Sequence, residues 1–226
     1  MNELMDRLKI CPLFREVPEF VLENQILSQA SLMEIPRNAA VIQYQEQVDT
    51  FSVVVSGKLH ILHSFEDGSY SIFHVLYPGG AAGLDLLWTR SRMAPYFVVA
   101  AEVSRILRFP ASILTDQSCL DTQWRFKIVE NALRLVSHEN MRKEYRLAIL
   151  SRKGLRERIL TYLTMQSARR RTATFTIPFT REELASFLCV NRSAMCHELS
   201  LMQQEGLITF RKNEFTLCNW ESMMIP

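Results

Sequence analysis

One change of texture constrains this chain more than any other feature. From Leu32 to Pro110, short β-branched and aromatic runs alternate with turn residues. From Asp121 to Met165 there is no proline and a single glycine, Gly154. A chain that passes from a period of two to a period of 3.6 must build two different kinds of layer. In the first stretch, Phe51–Val55 ends at Gly57, Leu59–Phe65 ends at Glu66-Asp67-Gly68, and Tyr70–Tyr77 ends at Pro78-Gly79-Gly80. Tyr96–Ala101 and Arg105–Phe109 follow. Strands about ten residues apart, each closed by a turn, predict an all-β sandwich or barrel.

The helical parts lie on either side. Leu4 and Leu8 start a helical spacing that Pro12 and Pro18 break, and Val21, Leu22, Ile26 and Leu27 resume it, so the first thirty residues read as short helices. Across Asp121–Met165, Trp124, Ile128, Leu135, Val136 and Leu147 form a broad apolar stripe with Arg and Glu between them. This predicts a helix of more than ~20 residues followed by another. The stripe needs a partner, either the chain's own barrel or a second copy; self-pairing is the expectation.

After Thr176 the pattern shortens. Thr180 with Glu183 three residues later is a capping box, and Leu184, Phe187 and Leu188 give a short helix its apolar face. Cys189-Val190-Asn191 interrupts it. Arg192 opens a second helix with Met195, Leu199 and Met202 as its buried side, closed by Gly206. Leu207–Phe210 and Glu214–Leu217 then flank Arg211-Lys212-Asn213 as two short strands. Helix, three-residue turn and helix make a helix-turn-helix, and the hairpin is its wing.

Charge agrees with this division. Residues 1–140 carry 12 Lys/Arg and 16 Asp/Glu, a balance of −4, whereas residues 141–226 carry +6. The total of +2 hides the split, and the basic half points to nucleic acid. In a helix-turn-helix the second helix enters the major groove and its first residues meet base edges. Arg192, Ser193 and His197 are those residues, with Asn191 at the helix start. Arg grips guanine with two hydrogen bonds, Ser reads permissively, and His reaches a base or a phosphate. Thr180, Arg181, Arg169, Arg170, Arg171, Arg211 and Lys212 are candidate phosphate contacts, which position without specifying sequence.

Other chemistries find little support. The five cysteines, at 11, 119, 189, 196 and 218, contain no C-x-x-C pair, so neither a zinc site nor a redox dithiol is read. They are read as thiols in a reducing cytosol, with oxidation of Cys11 or Cys196 left open. His60 and His63, three apart on one strand, face opposite ways, and His74 stands alone, so no metal set is expected. No catalytic set is read. The first ten residues lack an apolar signal core and no apolar run approaches ~18 residues, so a cytoplasmic protein with no membrane partner is expected.

Several segments together resemble the Crp/Fnr family of transcription regulators, over nearly the whole chain. Cys11-Pro12-Leu13-Phe14 is similar to the family's opening. Gly57 and Asp67-Gly68 fall at barrel turns, and Pro78-Gly79-Gly80 followed by Gly83 resembles the entry to the phosphate-binding cassette. Arg156-Glu157-Arg158-Ile159-Leu160 resembles the first helix of the winged domain. Phe179-Thr180-Arg181-Glu182-Glu183-Leu184-Ala185 and Asn191-Arg192-Ser193 match its helix-turn-helix. The resemblance implies an α+β fold: an N-terminal β-barrel (a cyclic-nucleotide-binding-like jelly roll) over 1–117, a long dimerisation helix over 118–149, and a C-terminal winged helix-turn-helix over 150–226. It implies a homodimer that binds a palindromic operator under control of an effector in the barrel, with RNA polymerase as a further partner if the protein activates.

Departures from the family shape the effector expectation. Cyclic-AMP-binding members place a Glu just after the cassette glycine and an Arg-Ser or Arg-Thr pair about eleven residues beyond it. Counted from Gly83, those positions hold Leu84 and Ala94-Pro95; Asp85 is one place off, and Arg90 and Arg92 are out of register. Without a cation to meet a buried phosphate, cyclic AMP is not expected as effector. Leu84, Leu86, Leu87, Trp88, Tyr96 and Phe97 either surround a more apolar ligand or simply fill the barrel. Glu139 and Asn140, where family members reach a ligand across the subunit boundary, either cap that pocket or are ordinary polar positions. Iron–sulfur members need an N-terminal cysteine cluster, and only Cys11 is present. Ser193 and His197 stand where many members carry Glu and a second Arg, so the operator differs from the best-known consensus. Two rival readings are a cupin-like metal enzyme with an accessory domain and a cyclic-nucleotide sensor acting on a protein partner.

Overall fold

The computed structural model describes residues 2–64 and 70–218, so the Glu66-Asp67-Gly68 turn lies outside the described residues. The chain divides into two compact units, Met1–Asn140 and Met141–Pro226.

The first unit opens with α1 (Asn2–Ile10), a single 3-10 turn at Pro12–Phe14, α2 (Glu19–Val21), and π and 3-10 turns that carry the chain to Gln29. Eight strands follow: β1 (Ser31–Ile35), β2 (Ala40–Ile42), β3 (Thr50–Ser56), β4 (Leu59–Ser64), β5 (Tyr70–Leu76), β6 (Ala81–Ala82), β7 (Phe97–Ala100) and β8 (Ser104–Pro110). They form two four-stranded antiparallel sheets, ordered β1-β8-β3-β6 and β2-β7-β4-β5, which is the expected jelly roll. The runs read from sequence correspond to β3, β4, β5, β7 and β8. The short β1 and β2 carry Glu and Arg neighbours instead of a continuous apolar run, and escape a purely local reading.

Two cores share this unit. Between the sheets lie Val54, Leu59, Val98, Ala100 and Ile106, with Leu86 and Tyr96. On the outer face of the β1-β8-β3-β6 sheet, Phe51, Val53, Leu107 and Phe109 pack on Leu8, Leu13, Phe14 and Ile26 from the N-terminal helices. After α3 (Ser112–Thr115) the chain enters α4 (Thr122–Leu150), 29 residues long as the proline-free run predicts. Ile128 and Ala132 are buried in the outer core, with Trp124, Leu135 and Val136 packed against it. Buried Asn131 donates to the carbonyls of Leu13 and Arg15 at 3.1 and 2.8 Å. The expected self-pairing of this stripe is thus corrected. Its members cover the chain's own barrel together with the N-terminal helices, whose Leu8 and Ile26 lie in the same core. Leu147 alone departs, being 61% exposed.

In the second unit, α5 (Leu155–Arg170) begins at Gly154 and ends on Arg171, whose φ of +54° is left-handed. β9 (Thr174–Thr176) leads to α6 (Arg181–Phe187), α7 (Arg192–Gln204), β10 (Ile208–Arg211) and β11 (Glu214–Leu217). The sheet order is β10-β11-β9. Met195, Leu199 and Met202 are fully buried, as the spacing predicts, against Leu163, Leu184, Leu188 and Phe215. The capping box is formed: Thr180 Oγ1 accepts from the Glu183 N–H at 3.2 Å and Glu183 Oε2 accepts from the Thr180 N–H at 2.8 Å. Thr180→Ala removes one of these bonds and exposes an orphan helix amide, so a loss of about 1 kcal/mol is expected. Urea denaturation checks it; an unchanged midpoint would show that the cap carries no stability.

Candidate nucleic-acid interface and effector site

The reading head is built from α6, its turn and α7. Leu188 closes α6, Cys189 takes a left-handed φ of +54°, and Asn191 caps α7 by accepting from the Ser193 N–H at 2.8 Å and from the Ser193 hydroxyl. That hydroxyl is therefore committed to the cap in the free protein. Arg192, Ser193, Ala194 and His197 are all exposed at the start of α7. Arg169, Arg170 and Arg171 are exposed at the end of α5, and Arg211 and Lys212 at the tip of the wing.

Arg181 is differently placed. Its guanidinium lies 4.9 Å from the ring centres of both Phe210 and Phe215, and partial burial lowers its pKa. The cation stacks on wing aromatics and so fastens α6 to the hairpin. Thr180 is exposed, but its hydroxyl is occupied by the cap.

Three arginines that sequence reasoning missed hold this head together. Arg156 of α5 donates from Nε to Glu198 at 2.5 Å and forks onto both carboxylate oxygens of Glu205 at 2.7 and 2.9 Å. The seven-residue spacing of Glu198 on α7 and Glu205 at its C-cap was the available signal, since it puts both on one side of the helix. Arg158 donates from Nη1 to the Leu188 carbonyl at 3.3 Å. Arg146 of α4, 4% exposed, donates to the carbonyls of Phe187 at 3.1 Å and Ser186 at 3.3 Å, and to Cys189 Sγ at 3.6 Å. Its guanidinium also lies 5.1 Å from the Phe187 ring centre, and burial lowers its pKa. A cation on the last carbonyls of a helix meets the negative end of its dipole.

In the barrel, the predicted effector residues do not all converge. Gly83 has a φ of +87°, and a Cβ there would come 3.1 Å from the Thr50 carbonyl, so the turn requires glycine. Leu84 and Leu87 turn into the outer core, while Leu86, Ala94 and Tyr96 face the space between the sheets. Trp88 is 52% exposed, and Pro95 and Asn140 are exposed. Asp85 accepts from the Tyr96 hydroxyl at 2.6 Å; desolvation and this carboxylate together raise the Tyr96 pKa. Glu139 Oε1 lies 3.5 Å from His74 Nε2. His63 lies tilted against Phe73, with ring centres 4.1 Å apart, and approaches Tyr96 at 6.1 Å. Burial pushes the Cys11 thiol up to about 11. Among the described residues, no group of three or more His, Cys, Asp or Glu is placed to hold a metal ion. No helix among them is long and apolar enough to cross a membrane.

Leu84, where the cyclic-AMP-binding pattern has Glu, is buried in the outer core, and Ala94, where it has Arg, is 1% exposed.

A jelly roll joined through one long helix to a winged helix-turn-helix defines an effector-controlled DNA-binding regulator. Family models agree in both halves: a cyclic nucleotide-binding domain matches residues 32–117 and a Crp-like helix-turn-helix domain matches residues 157–224. The chain belongs to the Crp/Fnr family of transcription regulators. It is similar to the transcriptional activator protein FnrA of Stutzerimonas stutzeri, with 28% identity over 170 residues, 72% of this chain and 67% of the relative. Its fold is similar to that of FixK2 from Bradyrhizobium japonicum, with a TM-score of 0.61, 18% identity, and 86% and 95% of the two chains covered. It is similar too to the c-di-GMP responsive global regulator CLP of Xanthomonas campestris, with a TM-score of 0.65, 16% identity, and 85% and 96% covered.

Proposed function

We propose that the protein works in the cytoplasm as a homodimer that binds a palindromic operator and is switched by an effector other than cyclic AMP. It is not an enzyme on this reading, and RNA polymerase is a further partner if it activates. Its working parts are the sensor over 1–117, the dimerisation helix over 118–149 and the DNA-binding domain over 150–226.

The observation that carries the reading is the exposed N-terminal turn of α7, with Arg192 and His197 presented and both cap and turn fixed from behind. Exposed Arg169, Arg170, Arg171, Arg211 and Lys212 supply phosphate contacts, and Arg181 serves them by holding the wing. Dimerisation is supported by a second face of α4, distinct from the stripe packed on the barrel. Phe126, Leu133, Asn140 and Leu147 recur every seven residues, and the three apolar ones are 71, 66 and 61% exposed. That is the spacing of a coiled-coil seam. Two recognition helices related by this axis would meet major grooves about 34 Å apart. The effector switches the dimer only through a difference in its affinity for the two arrangements.

A gel shift with promoter fragments from the protein's own locus tests the reading; no retardation at low salt, with or without cell extract, would overturn it. Arg192→Ala is expected to weaken specific binding by ~1–3 kcal/mol and relax preference at one base pair, read by footprinting. An unchanged footprint would move the recognition helix elsewhere.

A further inference from the structure

The β1-β8-β3-β6 sheet turns its faces to two different cores, and side chains alternate between them along each strand. Val54 and Ile106 point between the sheets. Ser52 and Arg108 lie two residues from them and share that inner face. Ser52 is the register partner of Arg108 on one side and of Ala82 on the other. A lateral row Arg108, Ser52, Ala82 therefore crosses the interior at strand spacings of about 4.8 Å and ends beside Gly83. The flanking side chains are small, and Ser52 is itself buried.

Arg108 is under-partnered for such a place. Nη2 donates to the Val41 carbonyl at 3.1 Å, while Nε is buried with no acceptor. No carboxylate among the described residues pairs with it. Asp85, two residues beyond Gly83, is engaged by Tyr96. A guanidinium offers its N–H groups as a rigid fork matched to carboxylate and phosphate oxygens, and a buried N–H without an acceptor calls for an explanation. The interior around the row is apolar: Val41, Ile42 and Ile106 belong to the same core.

We propose that Arg108 is the anion-binding group of the sensor, and that the effector is a small organic oxyanion with an apolar body whose carboxylate or phosphate oxygen accepts from Nε. This rests on the reading of the barrel as the effector unit, and it differs from the cyclic-nucleotide arrangement because the cation comes from β8 rather than from the cassette. The conflict with the missing cassette Arg then disappears: the barrel has moved its charge, not abolished it.

Thermal melts and isothermal titration of the full-length protein with benzoate, phenyl phosphate, benzyl alcohol and cyclic AMP test this. Benzoate or phenyl phosphate is expected to raise the melting temperature, and whichever binds tighter distinguishes a carboxylate from a phosphate source. Benzyl alcohol and cyclic AMP are expected to leave it unchanged. In Arg108→Met the anion affinity is expected to fall at least about tenfold, the loss of one charge-assisted fork. If that variant does not fold, Arg108→Lys carries the same test, since it keeps the charge and loses Nε. No response to either anion, or an equal response in the variant, overturns the proposal. Gel shifts on the same preparations separate the two failures. Specific retardation without an anion response removes this site and leaves the regulator; absence of specific retardation removes the regulator reading itself.

Discussion

Leu133→Glu is expected to split the proposed dimer and, with it, to lower operator affinity at least ~100-fold. Leu133 is 66% exposed in the middle of the row Phe126, Leu133, Asn140, Leu147. Pairing this row with its copy would bury an apolar side chain from each subunit, worth ~1.5–3 kcal/mol apiece. A carboxylate there, facing its twin, must be desolvated beside a like charge. The monomer that results keeps one recognition helix, and the second half-site no longer benefits from the high effective concentration that linkage provides. Sedimentation velocity reads the assembly state and a gel shift on a palindromic fragment reads the affinity. A variant that still sediments as a dimer would place the interface on another face. Circular dichroism is expected to be unchanged, because the inner side of α4 is held by Ile128, Asn131 and Ala132.

Phe215→Ala is expected to be the most damaging single truncation in the DNA-binding unit. Phe215 is fully buried, pairs with Phe175 of β9 across the sheet, and lies 5.6 Å from Phe210. Its ring also supports the Arg181 guanidinium at 4.9 Å. Removing it costs the transferred area and leaves a cavity beneath the wing, ~3–5 kcal/mol in comparable cores. For a unit of 86 residues this is a large share of a marginal total. Chemical denaturation followed by Trp-independent far-ultraviolet circular dichroism is expected to show an early transition and DNA binding to vanish at 37 °C. An unshifted transition would mean that the hairpin is not integral to the core.

The residues also show which parts of this molecule were open to a linear reading. Helix-turn-helix, capping box and wing were legible because each rests on spacings of three or four residues: Thr180 with Glu183, Met195 with Leu199, Asn191 before Arg192. The jelly roll was legible as a class, since turn residues recur between β-branched runs, but β1, β2 and β9 were not, because their pairing is decided by distant strands. The stripe on α4 was seen and given the wrong partner. Periodicity says that Ile128 and Val136 are buried, not what buries them. In the same way Leu84 and Leu86, two apart on an irregular segment, divide between two cores. Charged side chains were the hardest. Arg181 reads as a phosphate contact and the sequence assigns Arg146 and Arg156 no partner, yet aromatic faces, helix-terminal carbonyls and a pair of glutamates from remote parts of the chain claim them.

Arg146 also ties the end of the long helix to the turn before the recognition helix. Its forked donor is seated on the Ser186 and Phe187 carbonyls, and letting go would strand a desolvated cation. A rotation of α4 by one residue, about 100°, would force that release; a small slide or tilt would not. The last two turns of α4 and the turn before the recognition helix therefore share their rotational freedom. Torsion at this joint would have to break these bonds, whereas a small slide or tilt would keep them.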